Sequence, residues 1–199
     1  MFVLKRALRP FPFGVSLCET PCQSNNMKRN LNGSDKAAYS LRITDFGSAD
    51  QIKAIAHMDR KPETYSQVRE ILSSLVGYSL VSRSDLHATI SKKSIEKILS
   101  GRSIEDSHDF KAHLFAAGNI DRLYGNSIEP WTFEMNSNKN NDGLVGIHRL
   151  FALMEYAENM IIVKITVKEM KNPNDGNRIY TIKTLNVFSE EQKIEDAVS

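Results

Sequence analysis

The stretch IIVKITVKEM, Ile161 to Met170, alternates with a period of two. Ile161, Val163, Ile165 and Val167 are apolar and β-branched, and Lys164, Thr166 and Lys168 fill the positions between them. Successive side chains of a strand point to opposite faces. The pattern therefore predicts a strand with one face on a core and a lysine–threonine–lysine column on the other. What that column meets is the functional question the chain poses.

A partner for this strand follows at once. KNPNDGN carries Pro173 and Asp175-Gly176, which are strong turn signals, and RIYTIKTLNVF resumes an extended pattern. The preceding segment IHRLFALMEY is ambiguous, because Ile147, Leu150, Phe151 and Met154 also suit a helix. Upstream the period changes. Ser48 with Gln51, and Thr64 with Gln67, stand at capping-box spacing and open helices in SADQIKAIAHM and TYSQVREILSSLVG. Val68, Ile71, Leu72 and Leu75 give the second of these a buried face, and Gly77 stops it. VSRSDLHATI reads as extended. SKKSIEKILSG reads as a helix capped by Ser91 and ended by Gly101, and SHDFKAHLFAAGNIDRLYGN as a helix broken at Gly118 with a further turn around Ile120 to Tyr124. Helices followed by a small antiparallel sheet make an α+β plan.

The flanks differ from this body. Residues 1–45 are rich in Pro, Asn and Ser and lack sustained periodicity, so they read as a flexible leader ahead of a domain spanning 46–188. The first 35 residues hold five Lys/Arg against two acids. Arg6, Arg9, Pro10 and Pro12 interrupt the only apolar run there, which excludes a secretory signal and leaves an unstructured arm or an acid-poor targeting peptide. Residues 189–199 form an acidic tail in which Ser189 and Gln192 could cap a terminal helix. NSNKNNDG, 136 to 143, is a polar loop. No apolar run approaches the roughly 20 residues needed to span a bilayer, and a cytoplasmic location without a membrane partner is expected. Cys18 and Cys22 are the only cysteines, too few for a disulfide framework or a zinc site.

Chemistry concentrates in the second half. Lys164, Thr166 and Lys168, with Arg178, Tyr180, Thr181 and Lys183 brought alongside by the hairpin, suit a phosphodiester. The cations neutralise phosphate and the charge that builds in its transition state, and the hydroxyls donate hydrogen bonds. The bland alternative is a solvated sheet face, since the net charge of +2 alone does not argue for nucleic acid. His148 stands beside Arg149, and neighbours on a strand face opposite ways, so at most one shares the lysine face. His148 is the candidate general acid or base, or else an ordinary surface histidine. Phe110, His113, Leu114 and Ala117 have helical spacing and place His113 at the edge of an apolar stripe, as a hydrogen-bonded core histidine. Tyr124 and Trp131 read as residues locking a helix–sheet junction. GxSxG, glycine-rich phosphate loops, HExxH and CxxC are missing, which disfavours nucleotide-hydrolysing and zinc-dependent classes.

NIDRLYGNSIEPW, GIHRLFALMEYAENMIIVKITVKEM and RIYTIKTLNV together resemble a nuclease-type domain of bacteriophage and mobile-element proteins, grouped with the barnase, EndoU, colicin and RelE-like ribonucleases. The matching pattern is His148-Arg149, Val163-Lys164, Thr166 to Glu169 and Ile179-Tyr180; HATISKKSIEKIL is similar to a helix that precedes the sheet in such domains. The resemblance spans roughly residues 85–188. It implies N-terminal helices packed on an antiparallel sheet of about four strands, with an active site on the exposed face. It also implies cleavage of RNA, commonly tRNA or ribosome-associated mRNA, without metal or cofactor, in a phage polyprotein or toxin setting where an antidote protein is a plausible partner. On this reading Lys164, Lys168 and Arg149 hold the scissile phosphate, His148 moves protons, and Thr166 and Tyr180 position the substrate. The competing readings are a non-catalytic RNA- or protein-binding module of the same fold, and a structural protein of phage or mobile-element origin.

Overall fold

Ile161, Val163, Ile165 and Val167 do bury one face of a strand, and the other face is covered as well. The computed structural model describes residues 41–107, 109–130, 134–136, 143–172 and 176–188, with six α-helices and a six-stranded sheet among them. The expected leader up to residue 40, the acidic tail from 189, Trp131 and both cysteines lie outside these residues, as does most of the polar loop.

The helices start where the capping boxes put them. Ser48 opens α1 (Ala49–Ala56) and Thr64 opens α2 (Tyr65–Ser74), each with its reciprocal glutamine bond formed. Ser91 opens α3 (Lys92–Ile98) by accepting from the Ser94 amide. Gly101 does not end that helix as expected. Leu99 is the C-cap, and Gly101 begins a separate short helix α4 (Gly101–Glu105) whose N-cap is Ser100. The predicted break at Gly118 divides α5 (Phe110–Gly118) from α6 (Ile120–Gly125). Gly118 is needed there because a Cβ would run into the Pro62 ring. The break is pinned by Asn119, whose side chain donates to the Arg60 and Phe115 carbonyls at 2.9 and 2.8 Å. Arg60 also grips Asp121 through both carboxylate oxygens, at 2.6 and 2.7 Å.

The sheet is larger than the expected four antiparallel strands, and it is mixed. Its order is β1 (Ser79–Val81), β2 (His87–Thr89), β6 (Arg178–Phe188), β5 (Asn159–Met170), β4 (Leu144–Tyr156) and β3 (Glu134–Met135). The ambiguous IHRLFALMEY is strand. A two-residue turn at Ala157-Glu158, both at positive φ, folds β4 onto β5. The long meander β4–β5–β6 is antiparallel throughout; only β2 joins in parallel, at Thr89 and Arg178. Asn177 makes that junction by accepting from the Thr89 amide at 2.9 Å and donating to the His87 carbonyl at 3.0 Å. Three-residue strands carry too little periodicity to announce such additions.

Two apolar layers enclose β5. Its odd-numbered face, with Leu150, Ala152 and Met154 of β4, packs beneath α2, α3, α5 and α6 through residues such as Leu72, Ile98, Leu114 and Leu123. Its other face carries Ile162 beside Phe151, Leu153 and Leu185, covered by Leu41, Ile43 and Phe46. Among the described residues, Leu41 and Ile43, which fall in the expected leader, are buried, with a 3₁₀ turn over Ile43–Phe46. An apolar trio against an apolar sheet patch leaves water there, which a mere leader would not do. His113 is the core histidine its spacing implied: Nε2 donates to the Ile98 carbonyl at 2.9 Å and Nδ1 lies 2.8 Å from the Ser107 hydroxyl.

Phe46→Ala should lower the unfolding free energy by about 3 kcal/mol in urea titrations, since a fully buried phenylalanine is lost; a loss below about 1 kcal/mol would mean the second layer adds little. Burial holds the His113 pKa below its ordinary value. The unfolded chain therefore takes up a proton that the folded chain resists, and stability falls as pH drops below about 6.5. Between pH 7.5 and 5.5 the parent should lose more stability than His113→Gln, measured by the same titration; equal losses would contradict this.

Candidate functional site

The face of β5 that carries Lys164, Thr166 and Lys168 continues across its neighbours. Directly paired residues of an antiparallel sheet share a face. Lys164 pairs with Lys183, Thr166 with Thr181 and Lys168 with Arg178 on β6, and Arg149 of β4 pairs with Thr166. Two pairs of like charge thus flank a Thr–Thr pair across one ladder, which makes this patch a candidate for a polyanion.

The arrangement is ordered from the side. Arg149 Nη1 donates to the Thr166 hydroxyl at 3.2 Å. Its Nη2 and Nε reach the two carboxylate oxygens of Glu134 at 3.1 and 3.4 Å. Glu134 arrives on the two-residue strand β3, opposite Ile147 and hence on the Arg149 face. The Lys168 ammonium sits 3.6 Å above the Tyr180 ring, a cation–π contact that orients it. A register shift between Thr166 and Val167 leaves Tyr180 as the extra residue of β6.

Accessibility divides the expected set. Lys164 and Thr166 are each only 5% exposed. Arg149, Lys168, Arg178, Tyr180, Thr181 and Lys183 are half-buried, and Glu134 is exposed. The open part of the column is therefore its Lys168 end, with Thr166 acting as a support for Arg149.

His148 is not part of this face. It points to the helix side with Leu150 and Ala152, and two carboxylates flank it. Glu129 Oε1 lies 2.8 Å from Nδ1 and Glu169 Oε2 lies 3.4 Å from Nε2. Glu129 is brought there by reciprocal backbone bonds between Ile128 and Phe151, both 2.8 Å. The cluster ties β4, β5 and the segment after α6 together. Beside it, burial and then the Glu129 charge push the Tyr124 phenol well above its ordinary pKa, and its hydroxyl donates to the Leu86 carbonyl at 3.0 Å. The acid–base role expected of His148 has no support on the cationic face, because strand alternation sends it the other way. A titratable carboxylate that does lie beside Arg149 there is Glu134. Sequence reasoning missed it, since two residues of strand in FEMN have no period to read. Among the described residues no group of three or more His, Cys, Asp or Glu side chains is placed to hold a metal ion, and no helix is long and apolar enough to cross a membrane.

The family of large polyvalent protein-associated domain 3 matches residues 59–180, more than half of the chain. The chain belongs to that family. The domain 3 match begins just before α2 and ends at Tyr180, so it contains Glu134, Arg149, Thr166 and Lys168, while the segment 41–56 lies outside it. No curated protein and no solved structure matches the chain.

Thr166→Val keeps the side-chain shape and removes the acceptor for Arg149. A hydrogen bond to a charged donor in a half-buried site should cost about 1–2 kcal/mol of stability in urea unfolding, and a variant as stable as the parent would show that the Arg149–Thr166 bond is not made in solution.

Proposed function

We propose that this domain is a metal-independent endoribonuclease acting through the Glu134–Arg149–Lys168 face. The observation that carries the reading is a carboxylate held against an arginine on a sheet face that also bears paired cations. In metal-free RNA cleavage a base takes the 2′-hydroxyl proton, the 2′ oxygen attacks phosphorus, and the 5′ oxygen leaves with a proton taken from water, giving a 2′,3′-cyclic phosphate and a 5′-hydroxyl. Glu134 is the base. Arg149 and Lys168 stabilise the charge that builds on the phosphoryl oxygens, Thr166 keeps Arg149 in place, and Tyr180 orients Lys168 and offers a plane for a base. The resemblance to the barnase, EndoU, colicin and RelE-like group supports the same reaction class. A phage or mobile-element setting, with tRNA or mRNA as target and an antidote protein as partner, belongs to this proposal.

A second reading is favoured by the burial of Lys164 and Thr166, which narrows the reachable set. On that reading the same face binds RNA without cutting it.

Purified full-length protein incubated with end-labelled tRNA and mRNA should produce 2′,3′-cyclic phosphate ends in EDTA. Glu134→Gln should lower kcat by at least about 100-fold, the range for loss of a general base. His148→Gln should stay within about threefold of the parent, because removing a structural contact on the other face leaves the reacting groups in place. Intact RNA under all conditions, with a retarded band in native gels, would replace the nuclease with the binding module. A fully active Glu134→Gln variant would remove the mechanism.

A further inference from the structure

A second cationic feature lies where α3 begins and β5 ends. A pocket of about 180 Å³ is bordered by Lys93, Lys168, Arg178, Ser91, Ser94 and Tyr180. Among the described residues, Leu144, Met170 and Ile179 also line it. The volume falls below the roughly 300 Å³ at which pockets for drug-sized molecules begin, so it suits a small group. Lys93, Lys168 and Arg178 border one partly apolar space, where a low local dielectric strengthens the attraction of a cation for an anion.

The serines supply the directional element. Ser91 Oγ and Ser94 Oγ are 2.9 Å apart, and each accepts from the other residue's backbone amide at 3.1 Å. Two hydroxyls carry two hydrogens, and their mutual bond uses one. The remaining O–H can be donated to a ligand, which supplies the oxygen acceptor. Lys168 is steadied over the Tyr180 ring at 3.6 Å. Tetrahedral oxyanions take several such donors at once, and the cations supply the charge.

We propose that this pocket is an oxyanion site that takes a single phosphoryl group, separate from the Glu134–Arg149 pair and joined to it through Lys168. The group is either the terminal phosphate of a nucleotide or RNA end, or a backbone diester of an RNA lying across the sheet. Phosphate binding does not depend on cleavage, so this inference and the nuclease reading fail separately.

The test titrates inorganic phosphate into the full-length ¹⁵N-labelled protein against sodium chloride of matched ionic strength. The expected result is a saturable shift of the Ser91, Lys93 and Ser94 amides with phosphate alone. Lys93, exposed and outside the proposed catalytic set, is the residue to change. Lys93→Ala should weaken phosphate about tenfold, as loss of one charge-assisted contact does, and Lys93→Glu further; far-UV circular dichroism checks that both stay folded. A second arm compares RNA 10-mers with a 5′-phosphate and a 5′-hydroxyl. A preference for the phosphorylated end that Lys93→Ala abolishes assigns the site to terminal phosphates. Equal affinities weakened equally assign it to the backbone. No saturable shift, or a Lys93→Glu protein that binds phosphate as the parent does, overturns the proposal. Saturable phosphate binding by a protein that leaves RNA intact would remove the nuclease reading and retain this site.

Discussion

The burial of β5 on both faces is the constraint from which the rest follows. A strand between two apolar layers cannot slip register, because a shift of one residue would move Lys164 and Thr166 into the helix layer and Ile165 and Val167 out of it. The long meander is therefore held in one pairing, and that pairing sets Lys168 against Arg178, Lys164 against Lys183 and Arg149 against Thr166. The cationic patch is a product of the core's own geometry. It continues along the strands from Phe151 and Ile162, which Leu41, Ile43 and Phe46 cover.

Charge and packing meet at that patch. The two apolar layers hold residues of like charge in register across one ladder. The carboxylate of Glu134 pairs with Arg149 and so lies beside the cations. On the opposite side of the sheet the signs are reversed, with His148 between Glu129 and Glu169. The adjacent residues His148 and Arg149 thus serve different ends: one fastens β4 to β5 and to the segment after α6, and the other faces the candidate substrate.

Much of this was legible in the chain because it is periodic or punctuated. Alternation in IIVKITVKEM revealed the central strand and implied that His148 and Arg149 must part. Capping boxes at Ser48 and Thr64 marked helix starts, and Gly118 marked a break. The unread parts are those with no period. The cover formed by Leu41, Ile43 and Phe46 is a short extended entry and a 3₁₀ turn of four residues, too brief for a period, so Leu41 and Ile43 read as leader. The strands that bring Thr89 and Glu134 to the sheet are three and two residues long. Glu134 owes its place entirely to pairing with β4, which no local pattern encodes. Gly101 looked like a stop because glycine ends helices, but Ser100 directly before it makes a start.

The most direct test of the central claim, that the Arg149–Lys168–Arg178 face meets RNA phosphates, is the salt dependence of binding to a single-stranded RNA measured by fluorescence anisotropy. Displacing counterions from three phosphates should give a slope of about −2 in log K against log[salt], reduced by about 0.7 in Lys168→Ala. A slope near zero, or one that Lys168→Ala leaves unchanged, would contradict the account.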